Sequence, residues 1–364
     1  MSKIFNCNCG NHNPLHCIVP PYMLEAMASS PNEKVRQMAL RNIETAAEVR
    51  AERRLLWPET VAALLTNKEG KNREVYDMLN RPNRRDLLPG KLVRKEGQEP
   101  VEDPAVNEAY DYSGYTYDFY RELFNRDSLD DSGLTLISSV HLEQDYNNAF
   151  WNGSQMAYGD GDDIIFRRFT KGLDVVGHEL THGVISFTSR LAYRDEAGAI
   201  NEHLADVFGT LIKQWVKKQD VETASWLIGD EIVIPAPTRR AIRDMKNPGT
   251  AYVNDPDLNG TDPQPDHYSN KYTGTQDNGG VHINSGIPNK AFCEAALQIG
   301  GFAWEKAGRI WYEAMLQLTS NSNFDKLANT TVNIAVEMFG KNSPEHNAVI
   351  NGWQKVGLYE NTLC

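Results

Sequence analysis

The spacing of apolar residues changes character along the chain. From residue 191 onward they recur every three to four positions, and five segments predict helices: INEHLADVFGTLIKQWVKKQ (200–219), IPNKAFCEAALQIGG (287–301), AGRIWYEAMLQL (307–318), FDKLANTTVNIAVEMFG (324–340) and SPEHNAVINGWQKVG (343–357). Upstream the pattern is mixed. NREVYDMLN (72–80) and LTLISSVHL (134–142) carry β-branched residues between turn-formers and predict strands, whereas 106–126 predicts a helix with aromatic faces. The Gly/Asp run at 159–163 separates Met156-Ala157-Tyr158 from Ile164-Ile165-Phe166, which predicts a hairpin.

The first 52 residues form a third kind of text. Ile18-Val19-Pro20-Pro21-Tyr22 reads as extended, because proline fixes φ and disfavours helix before it. After Pro31 a polar helix pattern carries one narrow stripe, Met38, Ala39, Ile43, Ala46 and Val49. A helix with one apolar face and no core of its own must lie on something else. Arg50, Glu52, Arg53 and Arg54 form a charged junction suited to cleavage. The expected division is therefore a 1–52 appendage, a 53–190 α+β unit and a 191–364 α-helical unit.

Composition narrows the classes. The 364 residues are 40% hydrophobic and 24% charged, values typical of a soluble globular protein. The net charge of −12 argues against nucleic-acid partners and polybasic membrane docking. The most apolar long stretch, Ala291 to Trp304, is too short to span a bilayer and contains Glu294. No apolar signal-peptide core is evident, so synthesis in the cytoplasm, with release by a non-standard route, is the expectation. Five cysteines fit no disulfide framework. Cys7, Cys9 and Cys17 cluster with His12 and His16, in a spacing that matches no structural zinc motif.

Chemistry concentrates in three places. His178-Glu179-Leu180-Thr181-His182 is an H-E-x-x-H pattern: on a helix both imidazoles share a face, and Glu179 reaches the open position of a bound ion. The same five residues also occur in helices that bind no metal. Glu202 follows after a turn and a return helix, with Asp206 one turn further on the same face. Two imidazoles and a carboxylate make an open zinc site, and Asp206 can hold the second ring nitrogen of a ligand histidine. Finally, Asp277 lies five residues before His282 across a Gly-Gly turn, where it can orient and charge an imidazole facing an oxyanion.

HELTH, GAINEHLAD, DNGGVHINSG and NNAFWNGS (147–154) together resemble the thermolysin family of zinc metalloendopeptidases, in order and spacing across most of the chain. VPPYML resembles the short propeptide of the protealysin-like subgroup. The resemblance implies an α+β, two-domain zincin with a β-rich N-terminal domain, a helical C-terminal domain and the zinc cleft between them. It implies His178, His182 and Glu202 as zinc ligands, Glu179 as general base and Asp206 behind the ligands. His282, oriented by Asp277, and Tyr193 would stabilise the oxyanion. Arg243, Asn148 and the Ala149 backbone would grip the substrate chain, and Phe166, Phe169, Val175, Ile228, Ile232 and Ile242 would line an apolar pocket. Preference for a bulky hydrophobic residue after the cleaved bond follows. The implied partners are peptide or protein substrates and the chain's own propeptide as intramolecular inhibitor, in a monomer.

Thermolysin holds a pair of Ca2+ ions with a glutamate where this chain has Lys213, so a double calcium site is not expected. Asp174 and Asp230 are either ligands of a single Ca2+ or solvated surface carboxylates. The acidic loop Asp255–Gly260 is expected to be a solvated turn. Two other activities stay open at this stage: a zinc aminopeptidase, and a latent protein that binds peptide without cutting it.

Overall fold

A computed structural model describes residues 16–55, 70–81 and 88–359 of the chain. The side chains of His16 and of residues 46–55 fall outside that description. So do Cys7, Cys9, His12, Ala46, Val49 and the charged junction at 50–54.

The N-terminal segment runs from strand β1 (His16–Cys17) through helix α1 (Pro21–Met27) into helix α2 (Glu33–Leu55). The catalytic unit follows with β2 (Arg73–Asp77), β3 (Lys91–Lys95), α3 (Pro104–Phe124), β4 (Leu136–Val140), β5 (Ala149–Trp151) and β6 (Met156–Tyr158). These strands form one six-stranded sheet in the order β1-β5-β6-β4-β2-β3. Pro104 opens α3 at a position where its missing N–H costs nothing, and Asp103 caps it by accepting from the Ala105 amide at 2.8 Å. Ala105, Val106, Ala109, Tyr117, Phe119 and Tyr120 then bury the face that the sequence marked as aromatic and apolar.

The expected hairpin forms one strand earlier. β6 pairs antiparallel with β5, and Asn152 turns the chain by accepting from the amides of Ser154 and Gln155. Residues 164–166 are not its partner. The Asp162 carboxylate accepts from the amides of Ile164, Ile165 and Phe166 and curls the chain, so that Phe166 bridges to Val233 instead. A buried carboxylate satisfying three consecutive donors outcompetes a ladder there.

Two long helices form the centre: α4 (Leu173–Phe187), with residues 173–185 all buried, and α5 (Asp195–Lys217). A helix buried on every face belongs inside a domain, and the polar groups α4 carries there must find partners. Glycine sets their separation. A Cβ on Gly209 would stand 2.5 Å from the Asp174 carbonyl oxygen, and one on Gly177 3.2 Å from the Gly209 Cα. Beyond a short β7 (Leu227–Ile228) and β8 (Arg243–Asp244), the chain is helical: α6 (Asp277–Asn284), α7 (Gly286–Ile299), α8 (Ala307–Gln317), α9 (Phe324–Phe339) and α10 (Pro344–Lys355). The five predicted helices fall within a few residues of α5 and α7–α10. None of the described helices is long and apolar enough to cross a membrane.

Helix α2 lies on the loop after β4, burying Val35, Met38 and Ala39 with Ile43 at the margin. Polar groups complete that docking: the Asn42 side chain donates to the Asp145 carbonyl and accepts from the Asn147 amide at 2.7 Å, and Thr45 donates to Glu143 at 2.9 Å. The acidic loop is not a solvated turn. Asp255 is buried, and its carboxylate accepts from Thr238, Arg239 and the amides of Asp257 and Leu258, so the guanidinium of Arg239 balances the loop's charge.

Candidate active site

α4 presents His178 and His182 one turn apart, and α5 presents Glu202 opposite them. The close approach at Gly177 and Gly209 brings the two helices near enough for one ion to be shared. The Nε2 atoms of His178 and His182 stand 3.0 Å apart, and Glu202 lies 3.6 Å from the first and 3.5 Å from the second. All three side chains are buried. Glu202 Oε2 is buried yet accepts no hydrogen bond, and the three donor atoms converge within 4.8 Å of one another. A buried carboxylate oxygen without a hydrogen bond, facing two imidazole nitrogens, is costly in itself and fits a divalent cation with nitrogen and oxygen preference.

The outer ring nitrogens are held as well. Nδ1 of His178 meets Asp206 at 2.9 Å and Nδ1 of His182 meets Asn201 at 2.8 Å, which leaves both Nε2 atoms directed at the shared point. Asp206 is itself gripped by Arg243 at 2.8 and 2.7 Å and by Asn289 at 2.9 Å. Behind Asn289 stands His203, which accepts from the Trp311 indole. Burial weighs against the ionised form of Asp206, but Arg243 and His178 outweigh it and hold its pKa far below the usual carboxylate range.

Glu179 accepts from the Trp151 amide at 3.0 Å. Burial, then the neighbouring Glu202 charge, pushes its carboxyl well above the ordinary value, so it is suited to taking and returning a proton. On the far side, Asn278, Gly279 and Gly280 all adopt positive φ and fold the chain back. Asp277 thereby reaches the His282 ring at 2.6 Å and its amide at 2.8 Å. Burial would lower the His282 pKa, yet Asp277 and Glu202 carry it up to about 9. Tyr193 O–H lies 3.0 Å from His282 Nε2 and donates to Glu202.

The N-terminal segment fills the space in front of these groups. β1 pairs antiparallel with β5, in the register His16↔Trp151 and Cys17↔Phe150. The Ile18 amide donates to the Ala149 carbonyl at 3.3 Å, and the Ile18 carbonyl accepts from Arg243 at 3.1 Å. Asn148 accepts from the Val19 amide at 3.0 Å and donates to its carbonyl at 3.2 Å. The Cys17 carbonyl sits 3.1 Å from His282 Nε2. Ile18 is completely buried, and it belongs to the main hydrophobic core, which also contains Phe166, Phe169, Val175, Ile228, Ile232 and Ile242.

His178, Glu179, His182, Glu202, Asp206, Tyr193, Arg243, Asp277, His282, Asn148 and Ala149 are thus linked by contacts to one another or to the segment around Ile18. Asn201, Asn289 and His203 were not singled out, because a buried amide or neutral imidazole follows no spacing rule. Gly177 and Gly209 could have been suspected as small residues facing each other on adjacent helices. Asp174 and Asp230 lie elsewhere, at the far end of α4 and α5. Asp174 is buried rather than solvated, and Lys213 contacts it at 3.3 Å while also pairing with Asp230 and Glu231.

Two imidazoles and a carboxylate around one point, backed by a buried glutamic acid, define a metal-dependent hydrolase. Comparison with known proteins is specific about which. The thermolysin metallopeptidase catalytic domain matches residues 60–186, and the thermolysin metallopeptidase alpha-helical domain matches 189–358. An extracellular metalloprotease of Pectobacterium carotovorum is 44% identical over 351 residues, covering 95% of this chain and 97% of that one. A thermolysin of Alicyclobacillus acidocaldarius is 41% identical over 306 residues, covering 81% of this chain and 53% of its own. Among solved structures, the protealysin precursor of Serratia proteamaculans superposes with a TM-score of 0.84 at 43% identity, covering 94% of this chain and 100% of that one. The chain belongs to the thermolysin family, has its two-domain fold and is a metalloendopeptidase made as a zymogen with an N-terminal propeptide. The family implies zinc at the His-His-Glu triad.

Proposed function

We propose that the chain binds one zinc ion through His178, His182 and Glu202 and cleaves peptide bonds before bulky hydrophobic residues. When bound, the ion polarises the substrate carbonyl and makes a water acidic enough to attack near neutral pH. Glu179 takes the proton of the attacking water and returns it to the leaving amine. His282, oriented by Asp277, and Tyr193 donate to the oxygen that gains charge in the transition state. Asn148 and the Ala149 carbonyl hold the incoming chain as an added strand, and Arg243 grips the carbonyl beyond the scissile bond while securing Asp206. The pocket of Phe166, Phe169, Val175, Ile228, Ile232 and Ile242 selects the side chain that follows the cut.

The observation that carries this reading is the way the cleft holds Ile18 and Val19. Each polar backbone atom of that dipeptide meets Ala149, Arg243 or Asn148, as a substrate's would. The chain continues on both sides of that dipeptide, which favours an endopeptidase over an aminopeptidase. Residues 1–52 serve as the propeptide, 53–190 and 191–364 as the two catalytic domains, and the enzyme removes its own propeptide. The site of the family's calcium pair is occupied by the Lys213 ammonium, so no calcium is required there. The mature enzyme acts outside the cell, as the Pectobacterium relative's name states for that protein.

The test is cleavage of N-terminally blocked peptides that differ only in the residue after the cut, alongside the intact mass of the chain and of Glu179→Ala over time. Cutting before Leu, Ile or Phe, with loss of the N-terminal segment in the wild type alone, is expected. If both chains stay whole and blocked peptides stay uncut with zinc bound, the latent-binder reading replaces this one.

A further inference from the structure

The N-terminal segment could have blocked the cleft in many ways. It could cross it, reverse its direction, or hold it with side chains alone. It does none of these. It runs in the direction and register of a substrate, with one particular peptide bond, Cys17–Ile18, at the chemical centre. The Cys17 carbonyl oxygen faces His282 Nε2 at 3.1 Å, where the oxyanion of a cleaved bond would develop. On the other side of that bond the Ile18 amide is anchored on Ala149, its carbonyl on Arg243, and its side chain is fully buried in the main core. The next amide is fixed by Asn148 at 3.0 Å. Glu179 accepts from the Trp151 amide beside this bond, on the strand that pairs with β1.

We propose that the Cys17–Ile18 bond is itself cleaved in cis, as a first processing step distinct from removal of the whole propeptide. The proposal rests on the peptidase reading above. Water oxygen adds to the Cys17 carbonyl carbon, and the bond to the Ile18 nitrogen breaks. Glu179 carries the water's proton to that nitrogen. The products are a 1–17 peptide ending in the Cys17 carboxylate and an 18–364 chain with a free amine on Ile18. Geometry of this kind removes the entropic cost of bringing bond and catalyst together. The second product keeps its grip on the cleft, because the Ile18 carbonyl, Val19, α1 and α2 retain their contacts. The first cut therefore sheds the cysteine-rich leader while the enzyme remains closed.

The test uses the full chain, prepared metal-free and started by adding zinc, followed by intact mass and N-terminal sequencing. Glu179→Gln, Ile18→Leu and Ile18→Asp run in parallel. A species beginning at Ile18 should appear before any shorter one, with a first-order rate constant that does not change with protein concentration. It should be absent in Glu179→Gln, retained in Ile18→Leu and slowed at least about tenfold in Ile18→Asp, whose charge cannot enter the pocket. Placement is read separately, without turnover, by thiol modification of Cys17 in the metal-free chains. Cys17 should be shielded in the wild type and Ile18→Leu, and modified at least about tenfold faster in Ile18→Asp. If the wild type loses its propeptide and cuts blocked peptides but never exposes Ile18, the proposal fails and the peptidase reading stands. If Ile18 appears at a rate that rises with concentration, the cut is made in trans and the proposal fails. If neither processing nor peptide cleavage occurs, both fall.

Discussion

Two clusters of would-be metal ligands lie along helices α4 and α5, one fully buried at mid-helix and one partly buried near Asp174 and Lys213, and they differ in one respect. In the middle of the pair His178, His182 and Glu202 converge with no lysine or arginine ion pair among the described residues, and His282 stands at the rim, 3.5 Å from Glu202. In the other cluster, Asp174, Asp230 and Glu231 converge just as closely, but Lys213 from α5 reaches in among them. Burial tends to lower the Lys213 pKa, yet the three carboxylates outweigh it and hold the ammonium charged. In the proposed zinc site the first cluster is completed by an external ion; the second is completed by a side chain. Converging carboxylates alone therefore do not identify a metal site. The question is whether the fold already supplies the counter-charge.

The largest expected effect comes from the cluster that needs an ion. Glu202→Ala should abolish zinc retention on a desalting column and reduce peptide cleavage by ~10³ or more, about 4 kcal/mol in the barrier. Glu179→Gln should lose comparable activity while keeping zinc, which separates holding the ion from using it. Next, Lys213→Ala leaves three carboxylates facing one another, one of them fully buried, and should destabilise the chain by about 3 kcal/mol. Millimolar calcium should restore much of the lost Tm in that variant and leave the wild type unchanged. A wild-type Tm that falls on calcium chelation would overturn the comparison. Gly209→Ala tests the geometry common to both clusters. Its methyl group would press on the Asp174 carbonyl, and a loss of about 1–3 kcal/mol, with weaker zinc binding, is expected.

The smallest effect concerns a cluster of intermediate kind. His141 lies between Asp160 at 2.9 Å and Asp103 at 2.7 Å. The Asp160 hydrogen bond, against burial and with help from Asp103, raises its pKa from 6.5 to about 9. Because the folded value exceeds the unfolded one, the stabilisation is complete below about pH 6.5 and is lost as pH rises through about 9. Here the counter-charge can be withdrawn by titration, as it cannot from Lys213. Urea melts at pH 6 and pH 10 should show ~1–2 kcal/mol more loss for the wild type than for His141→Asn.

Much of this was legible in residue order. The ligand helix, its partner helix and the Asp277–His282 turn are local patterns, set by helical periodicity and by a turn that only glycine-rich sequence allows. Lys213 stood out only through the resemblance to thermolysin, where a glutamate holds the calcium pair. What stayed hidden depends on distant partners. Nothing near Cys17 announces that it will pair with Phe150, or that Asn42 will bridge to residues 145 and 147. Asp162 overrode a hairpin pattern because its carboxylate found three amides that no periodicity records. Asp255 looked solvated because the arginine that buries it lies 16 residues earlier in the chain.

The sheet itself sets a rule for what the mature enzyme can accept. Its outermost position, beside β5, is filled in the precursor by residues 16–17, and any replacement must supply amides and carbonyls at the spacing of an extended chain. A helix has already committed those groups to itself, and a tight turn cannot present them in a row. On the proposed binding mode the enzyme is a reader of conformation before it is a reader of side chains. If substrates bind by the proposed strand addition, unfolded or loosely tethered stretches of a protein are open to it, while well-ordered domains are protected until they fray.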